Sequence, residues 1–400
     1  MNRRTLFFTV VALQGAFCFA QDTPVAVRGA TILTGMGDVI EGGTIVFEGG
    51  KIIAIGAGVS PPDGADIIDA EGLYATPGFI DAYSHVGFGP SAGSDALFAS
   101  NLTPSDIERM NAIWDRDNLM AASNRVIDSL RDVLENLGAA QWLRSGVTTT
   151  YVSPGSENLV GGLGAIVKLT GEVVRETAAV SASFGETALD AFEAPTTRQG
   201  MIAILRQTFI RAEEDSLEGD DSRIFAQLLT EELPFRVLVN TPDDILTALR
   251  LAEEFELNLV LDSAAGGREV AAATAAADVP VVVGPTIIGG VGPYEMFAHT
   301  PANAAALHRA GVRIALATGG FGTGRSVAME AVIAKAHGLP EEAALAAVTS
   351  DAASILGIGD RVGALATGMD ADIVLWKGRP ISTWAETKRV IVGGKTVFER

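Results

Sequence analysis

Short alternating strands at both ends of the chain, and between them continuous apolar strands that each precede an amphipathic helix, predict an α/β protein. The expected architecture is a (β/α)8 barrel of the TIM type plus a small β-sandwich domain built from both termini. Hydrophobic residues make up 48% of the 400 and aromatics only 6%, an aliphatic mixture that suits a parallel sheet covered on both faces. The length accommodates one large domain and a smaller one, since domains run to about 100–250 residues.

Residues 1–20 read as an export signal. Arg3 and Arg4 precede the apolar run TLFFTVVALQGAFCFA, and small Ala20 stands before the expected cut. An uncleaved anchor is the alternative; a lipoprotein is disfavoured because bulky Phe17 precedes Cys18. Cys18 is the sole cysteine, so the mature chain carries no thiol, disulfide or cysteine-based zinc site. The protein is expected to be periplasmic or secreted, with no membrane span after signal removal. Loss of Arg3 and Arg4 takes the formal charge from −20 to −22, which disfavours nucleic acid and anionic membranes as partners.

Residues 21–75 supply the N-terminal part of the sandwich, with AVRGATILTG, GGTIVFEGGKIIAIG and ADIIDAEGLY as strands broken by Gly-rich turns. The barrel occupies 76–360, with an Asp- and Ser-bearing insertion near 91–124. Within it RVLVN (236–240) leads into DDILTALRLAEEF, whose Ile245, Leu249, Ala252 and Phe255 recur at helical spacing. NLVLD (258–262) precedes REVAAATAAA, VPVVVG (279–284) follows, and VRIALAT (312–318) leads into SVAMEAVIAKAHG. Residues 361–400 return to β structure with ADIVLWKG and RVIVGGKTVFER. A doubly wound open sheet is the alternative architecture, although no Gly-rich dinucleotide fingerprint follows an early strand.

Several segments, in order, carry a family resemblance: IIDAEGLYATPGFIDAYSH, SGVTTTYVSPGSENLVGGLGAIVKLTG, DDILTALRLAEEF, GLPEEAALAAVTSDAASILGIGDRVGALATGMDADIVLWKG and KRVIVGGKTVFE. They resemble the amidohydrolase superfamily, in particular exported, imidazolonepropionase-like, metal-dependent amidohydrolases. The resemblance implies chemistry at the C-terminal ends of the barrel strands. There a His-x-His pair, a lysine or glutamate, two further histidines and an aspartate hold one or two divalent metals that activate water.

This chain departs from that pattern. Tyr83 stands where the first histidine belongs, leaving His85 as the sole metal candidate; neutral tyrosine, with a pKa near 10, is a poor ligand at pH 7. Lys168 in AIVKL resembles the lysine that can be carbamylated, or is a strand-end lysine filling a pocket with its own charge. Asn240 occupies a place where sequences of the family carry a histidine or an asparagine, Ser263 the place of a later histidine, and strand alternation turns Asp262 away from the face of Ser263. Gly319, in ALATGGFGTG, replaces the aspartate and supplies no carboxylate for base catalysis. His308 and His337 suit helix ends, and His299 a loop near the barrel mouth. No other hydrolytic motif is present.

No residue is therefore assigned a catalytic role. Tyr83, Lys168, Asn240, Ser263 and Gly319 are the expected pocket, with no cofactor, or at most one weakly bound divalent metal such as zinc at His85. The expectation is an exported family member impaired in catalysis that acts as a binding or partner subunit. It would form a homo-oligomer, or a hetero-oligomer with an active paralogue. The alternative is an active metal-dependent hydrolase of non-peptide or cyclic C–N bonds with an atypical site.

Overall fold

The computed structural model describes residues 23–86, 118–130, 139–190, 194–286, 299–319 and 327–400. The expected export signal with Cys18, and residues 91–117 of the expected insertion, lie outside them. No helix of the described residues is long and apolar enough to cross a membrane.

The chain begins with β1 (Val25–Leu33), β2 (Val39–Glu48), β3 (Lys51–Gly56), β4 (Asp66–Asp69) and β5 (Tyr74–Pro77). Eight strands of a second sheet follow: β6 (Phe79–Ser84), β7 (Val147–Val152), β8 (Val160–Lys168), β9 (Val173–Ser183), β10 (Phe235–Val239), β11 (Leu259–Ser263), β12 (Val281–Val283) and β13 (Ile314–Leu316). The C-terminal strands β14 (Ile373–Lys377), β15 (Glu386–Val392) and β16 (Lys395–Glu399) then join the first sheet, in the order β16-β15-β14-β5-β1-β2-β3 with β4 on β1. β14 pairs antiparallel with β5, Val374 opposite Thr76, so the two chain ends are woven into one sheet around Ile32, Ile45, Ala75, Ile373 and Ile391.

The helices cover the second sheet. α1 (Ala139–Arg144) precedes β7; α2 (Glu186–Asp190), α3 (Arg198–Glu213) and α4 (Asp220–Leu229) lie between β9 and β10. α5 (Pro242–Phe255), α6 (Ala271–Ala276) and α7 (Asn303–Arg309) connect the next strands, and α8 (Val327–Ala336), α9 (Glu341–Ala346) and α10 (Ser350–Ile355) follow β13. α5 starts where the sequence places it because Thr241 accepts the Asp244 N–H and Pro242 takes the first turn. It buries Ile245, Ala248, Leu251, Ala252 and Phe255, one stripe at helical period.

The barrel of the expected class is nearly closed, with one strand reversed. β6 and β7, and β9 through β13, pair in parallel, but β8 runs antiparallel to both its neighbours. Only the turn Leu169–Glu172 separates β8 from β9, far shorter than the dozen or so residues a parallel crossover needs. At the seam, Ile80 N–H donates to Val348 O (2.8 Å) and Leu316 N–H to Ala347 O (2.9 Å), while higher up Gly319 N–H reaches Tyr83 O at 3.2 Å. Small side chains, Ala82, Ala179, Ala315 and Ala317, line much of the barrel interior alongside Tyr83 and Tyr151.

Candidate functional site

His85 follows the last residue of β6 and is buried, 4% exposed. Its Nδ1 lies 2.9 Å from the Ser153 carbonyl oxygen, which can only accept, so Nδ1 carries the proton and donates. Its Nε2 faces the Tyr83 hydroxyl at 3.5 Å, and the two rings meet edge to face with centroids 5.3 Å apart. Burial pushes the imidazole pKa down to about 4, so it is neutral at pH 7. Burial, and then the charge of Asp262, push the Tyr83 phenol above its ordinary value. A phenolate, the only form in which tyrosine ligates well, is thereby disfavoured.

Beneath this pair lies a buried ion pair between the neighbouring strands β10 and β11, whose arginine also reaches β6. Arg236 of β10, 2% exposed, donates from Nε to Asp262 Oδ2 at 2.9 Å, from Nη2 to Asp262 Oδ1 at 2.5 Å, and from Nη2 to the Ala82 carbonyl at 2.8 Å. Its guanidinium lies 4.0 Å from the Tyr151 ring centroid and 5.9 Å from that of Tyr83. Burial alone would lower the arginine pKa; the charge and hydrogen bonds of Asp262 outweigh it and hold it above the usual value. Burial likewise drives the Asp262 carboxyl upward, and Arg236 pulls it back. Because guanidinium does not deprotonate in proteins, the pair is an ionised one.

Tyr151 completes the layer: its hydroxyl lies 2.8 Å from Ser181 Oγ, which lies 3.1 Å from Ser153 Oγ. Gly164 of β8 makes room for it, since a Cβ there would stand 2.2 Å from the Tyr151 hydroxyl oxygen.

At the strand ends, Ser263 Oγ donates to Asn240 Oδ1 at 2.6 Å. Ser263 is left-handed (φ 67°), as is Ala264 (φ 46°), so the chain turns sharply here and points the hydroxyl at Asn240. Alternation does turn Asp262 to a different face from Ser263, and that face is the barrel interior. Gly319 sits at φ 69°, and a Cβ there would lie 2.4 Å from Pro285 Cδ and 2.8 Å from Gly284 O. The backbone at this position has no space for an aspartate.

Lys168, expected in the pocket, is elsewhere. Because β8 is reversed, its last residue lies at the end of the barrel where its neighbours begin, opposite Thr149. There Nζ meets Asp370 Oδ2 at 2.8 Å and Asp372 Oδ2 at 3.1 Å, with Glu172 at 3.8 Å. Burial would lower its pKa, but the two aspartates outweigh this and hold it above the ordinary value. Carbamylation needs a neutral amine, and this one is a charged junction between barrel and terminal sheet.

The remaining histidines do not join the group. His299 Nε2 lies 3.1 Å from Pro285 O beyond β12; His308 and His337 are exposed on α7 and beyond α8. Among the described residues, no group of three or more His, Cys, Asp and Glu side chains could hold a metal ion. The donors that are present do not fit a tight zinc site of at least three protein ligands. Asp262 is committed to Arg236, Asp81 accepts from Thr318 N–H (3.1 Å) and Oγ1 (2.6 Å), and His85 stands without a second imidazole beside it. Sequence reasoning missed Arg236. Its signal is parity: in FRVLV an arginine occupies a residue of the inward set, two before Leu238, where an aliphatic side chain belongs.

The amidohydrolase family model matches residues 297–397. An amidohydrolase of Hapsidospora irregularis is 26% identical over 91% of this chain and 40% of its own length, so this chain spans well under two thirds of that relative. An imidazolonepropionase of Mesorhizobium japonicum is 26% identical over 86% of this chain and 88% of its own. The crystal structure of an amidohydrolase from Thermotoga maritima superimposes with a TM-score of 0.83 at 28% identity, covering 94% of this chain and all of that one. With a barrel, a sheet shared by both termini and these matches across nearly its whole length, the chain belongs to the amidohydrolase superfamily.

Proposed function

We propose that this chain is an exported amidohydrolase-fold protein that works as a binding or partner subunit and not as a metal-dependent hydrolase. What carries the reading is the barrel interior. A permanently charged guanidinium, Arg236, occupies the space under the candidate site and takes Asp262 as its partner. Tyr83 and Gly319 stand at positions where the family resemblance implies a histidine and an aspartate. The backbone around Gly319 leaves no room for a carboxylate-bearing side chain.

The test is metal analysis of the purified protein after equilibration with zinc and gel filtration. The expected result is zinc far below one ion per chain and unchanged thermal stability on adding zinc, since an ion that binds only the folded state would raise the melting temperature. One or more tightly held zinc ions per chain, with stabilisation, overturns the proposal and restores the hydrolase reading.

A further inference from the structure

Above the Arg236–Asp262 pair the barrel interior opens into a hollow. Along β10 the side chains of Phe235, Val237 and Val239 enter the core under the helices, so Arg236, Leu238 and Asn240 face inward. Arg236 is buried, yet Leu238, one layer higher and packed on the interior cluster, is partly exposed. Solvent therefore reaches down the mouth of the barrel to the layer just above the ion pair.

Two hydroxyls meet the hollow at this level, and they are complementary. On β9, Val180 and Ala182 turn to the outer core, which leaves Ser183 on the inward face, opposite Leu238 and diagonal to Asn240. Ser183 is 1% exposed, and its Oγ has no hydrogen-bond partner among the described residues. A buried hydroxyl without a partner costs stability, so folding gives no reason for it. Ser263, at the end of β11, is partly exposed and left-handed in its backbone, as is Ala264, a strained conformation that collects at functional sites. Its hydroxyl spends its one hydrogen on Asn240 Oδ1 at 2.6 Å. Toward the hollow Ser263 thus has lone pairs only, whereas Ser183 still has a hydrogen to give.

A group that satisfies both must accept from Ser183 and donate to Ser263. A carboxylate has no hydrogen for Ser263, and an ammonium no lone pair for the Ser183 hydrogen. Either would also bring an unpaired charge into an interior where Arg236 and Asp262 neutralise each other and His85 is neutral.

We infer that the barrel mouth at Ser183, Leu238, Asn240 and Ser263 is a metal-independent site for a small uncharged molecule whose polar group both donates and accepts a hydrogen bond, a carboxamide or a hydroxyl. The inference rests on the metal-free barrel proposed above. Saturation-transfer NMR titration of the purified chain in EDTA tests it, with butanamide and butane-1,2-diol as uncharged probes and butanoate and butylammonium as charged counterparts. At least one uncharged probe is expected to bind, with a dissociation constant of about millimolar for so few atoms, and the charged ones about tenfold more weakly or less tightly still. The tighter of the two uncharged probes tells carboxamide from hydroxyl. Ser183→Ala should weaken that binding about tenfold and leave the melting temperature at or above that of wild type, because the hydroxyl it removes is unpaired in the fold. Thr149→Val removes another unpartnered buried hydroxyl, opposite Lys168 at the far end of the barrel, and should leave the affinity unchanged. No binding by either uncharged probe, charged probes that bind as tightly, or a Ser183→Ala variant with wild-type affinity overturns the inference and leaves the metal-free reading standing. Binding that appears only when zinc replaces EDTA overturns both.

Discussion

At the scale of single residues, the Arg236–Asp262 pair decides what the barrel interior can do. Two charges taken out of water cost several kcal/mol each, and their attraction offsets this only when geometry and the remaining hydrogen bonds are good. Here the bidentate contact to Asp262, the Ala82 carbonyl and the Tyr151 ring satisfy the guanidinium on several sides. The interior therefore tolerates the pair, but it would not tolerate half of it. Arg236→Met should cost about 3–5 kcal/mol by leaving a buried carboxylate without its cation, whereas Arg236→Met combined with Asp262→Leu should recover most of that loss. Urea unfolding of the three proteins measures it. Equal losses in the single and double variants would mean that packing around the aliphatic stem, not charge compensation, is what Arg236 contributes. This pair was half legible beforehand. The alternation of FRVLV and NLVLD puts both side chains on the inward set, but their meeting depends on the pairing of β10 with β11 in a register that places Arg236 opposite Val260 and Asp262 opposite Leu238, which no local pattern encodes.

Elements set the next level. The apolar run of β8 reads the same whether its strand is parallel or reversed, so the shift of Lys168 to the far end of the barrel follows from the short turn after it and not from its own sequence. Nothing in the sequences of β6 and β13 shows that they meet at a seam. In the fold, Asp81 accepts from the backbone and hydroxyl of Thr318 and so ties the first barrel strand to the last. Burial pushes this carboxyl up to about 7, the hydrogen bonds from Thr318 pulling it back and the charge of Glu330 adding to the rise. Its folded pKa lies above the unfolded value near 4, so the folded state binds the extra proton between the two. Stability from this group is then fully present below about pH 4 and declines as pH rises to about 7. His85 has the opposite sense: its folded pKa of about 4 lies below the unfolded value near 6.5, and stability falls as pH drops through that interval. The two contributions oppose each other across most of the same window. Asp81→Asn removes one of them. Its stability should therefore rise relative to wild type as pH increases from about 4 to about 7, read from urea midpoints across that range. A difference between the two proteins that stays constant with pH would show that Asp81 titrates normally.

For the whole molecule, the question is whether barrel and terminal sheet are two bodies or one. The sequence separates them into segments at each end and a middle, a division that says nothing of the energetics. The largest apolar core crosses between them: Val374, Trp376, Val390 and Val392 of the terminal sheet belong to the same cluster as Phe79, Val147 and the covering helices. Trp376 is the central contact. Its ring stacks on Phe79 of the first barrel strand with centroids 5.1 Å apart, its Nε1–H donates to Thr76 Oγ1 at 2.9 Å, and it is 3% exposed. Lys168 adds a buried charged tie, reaching Asp370 and Asp372 from β8. A junction with a shared core and a buried ion network unfolds with its neighbours, so the chain should melt in one transition that near-ultraviolet and far-ultraviolet dichroism report together. Trp376→Ala removes a large ring from that junction and leaves Thr76 without its donor. It should cost about 3–5 kcal/mol, and because the terminal sheet then loses its strongest hold on the barrel, the two probes should separate into successive transitions. Two transitions already in the wild type, or a variant that still melts as one unit after losing that much stability, would each show that the coupling lies elsewhere than at Trp376.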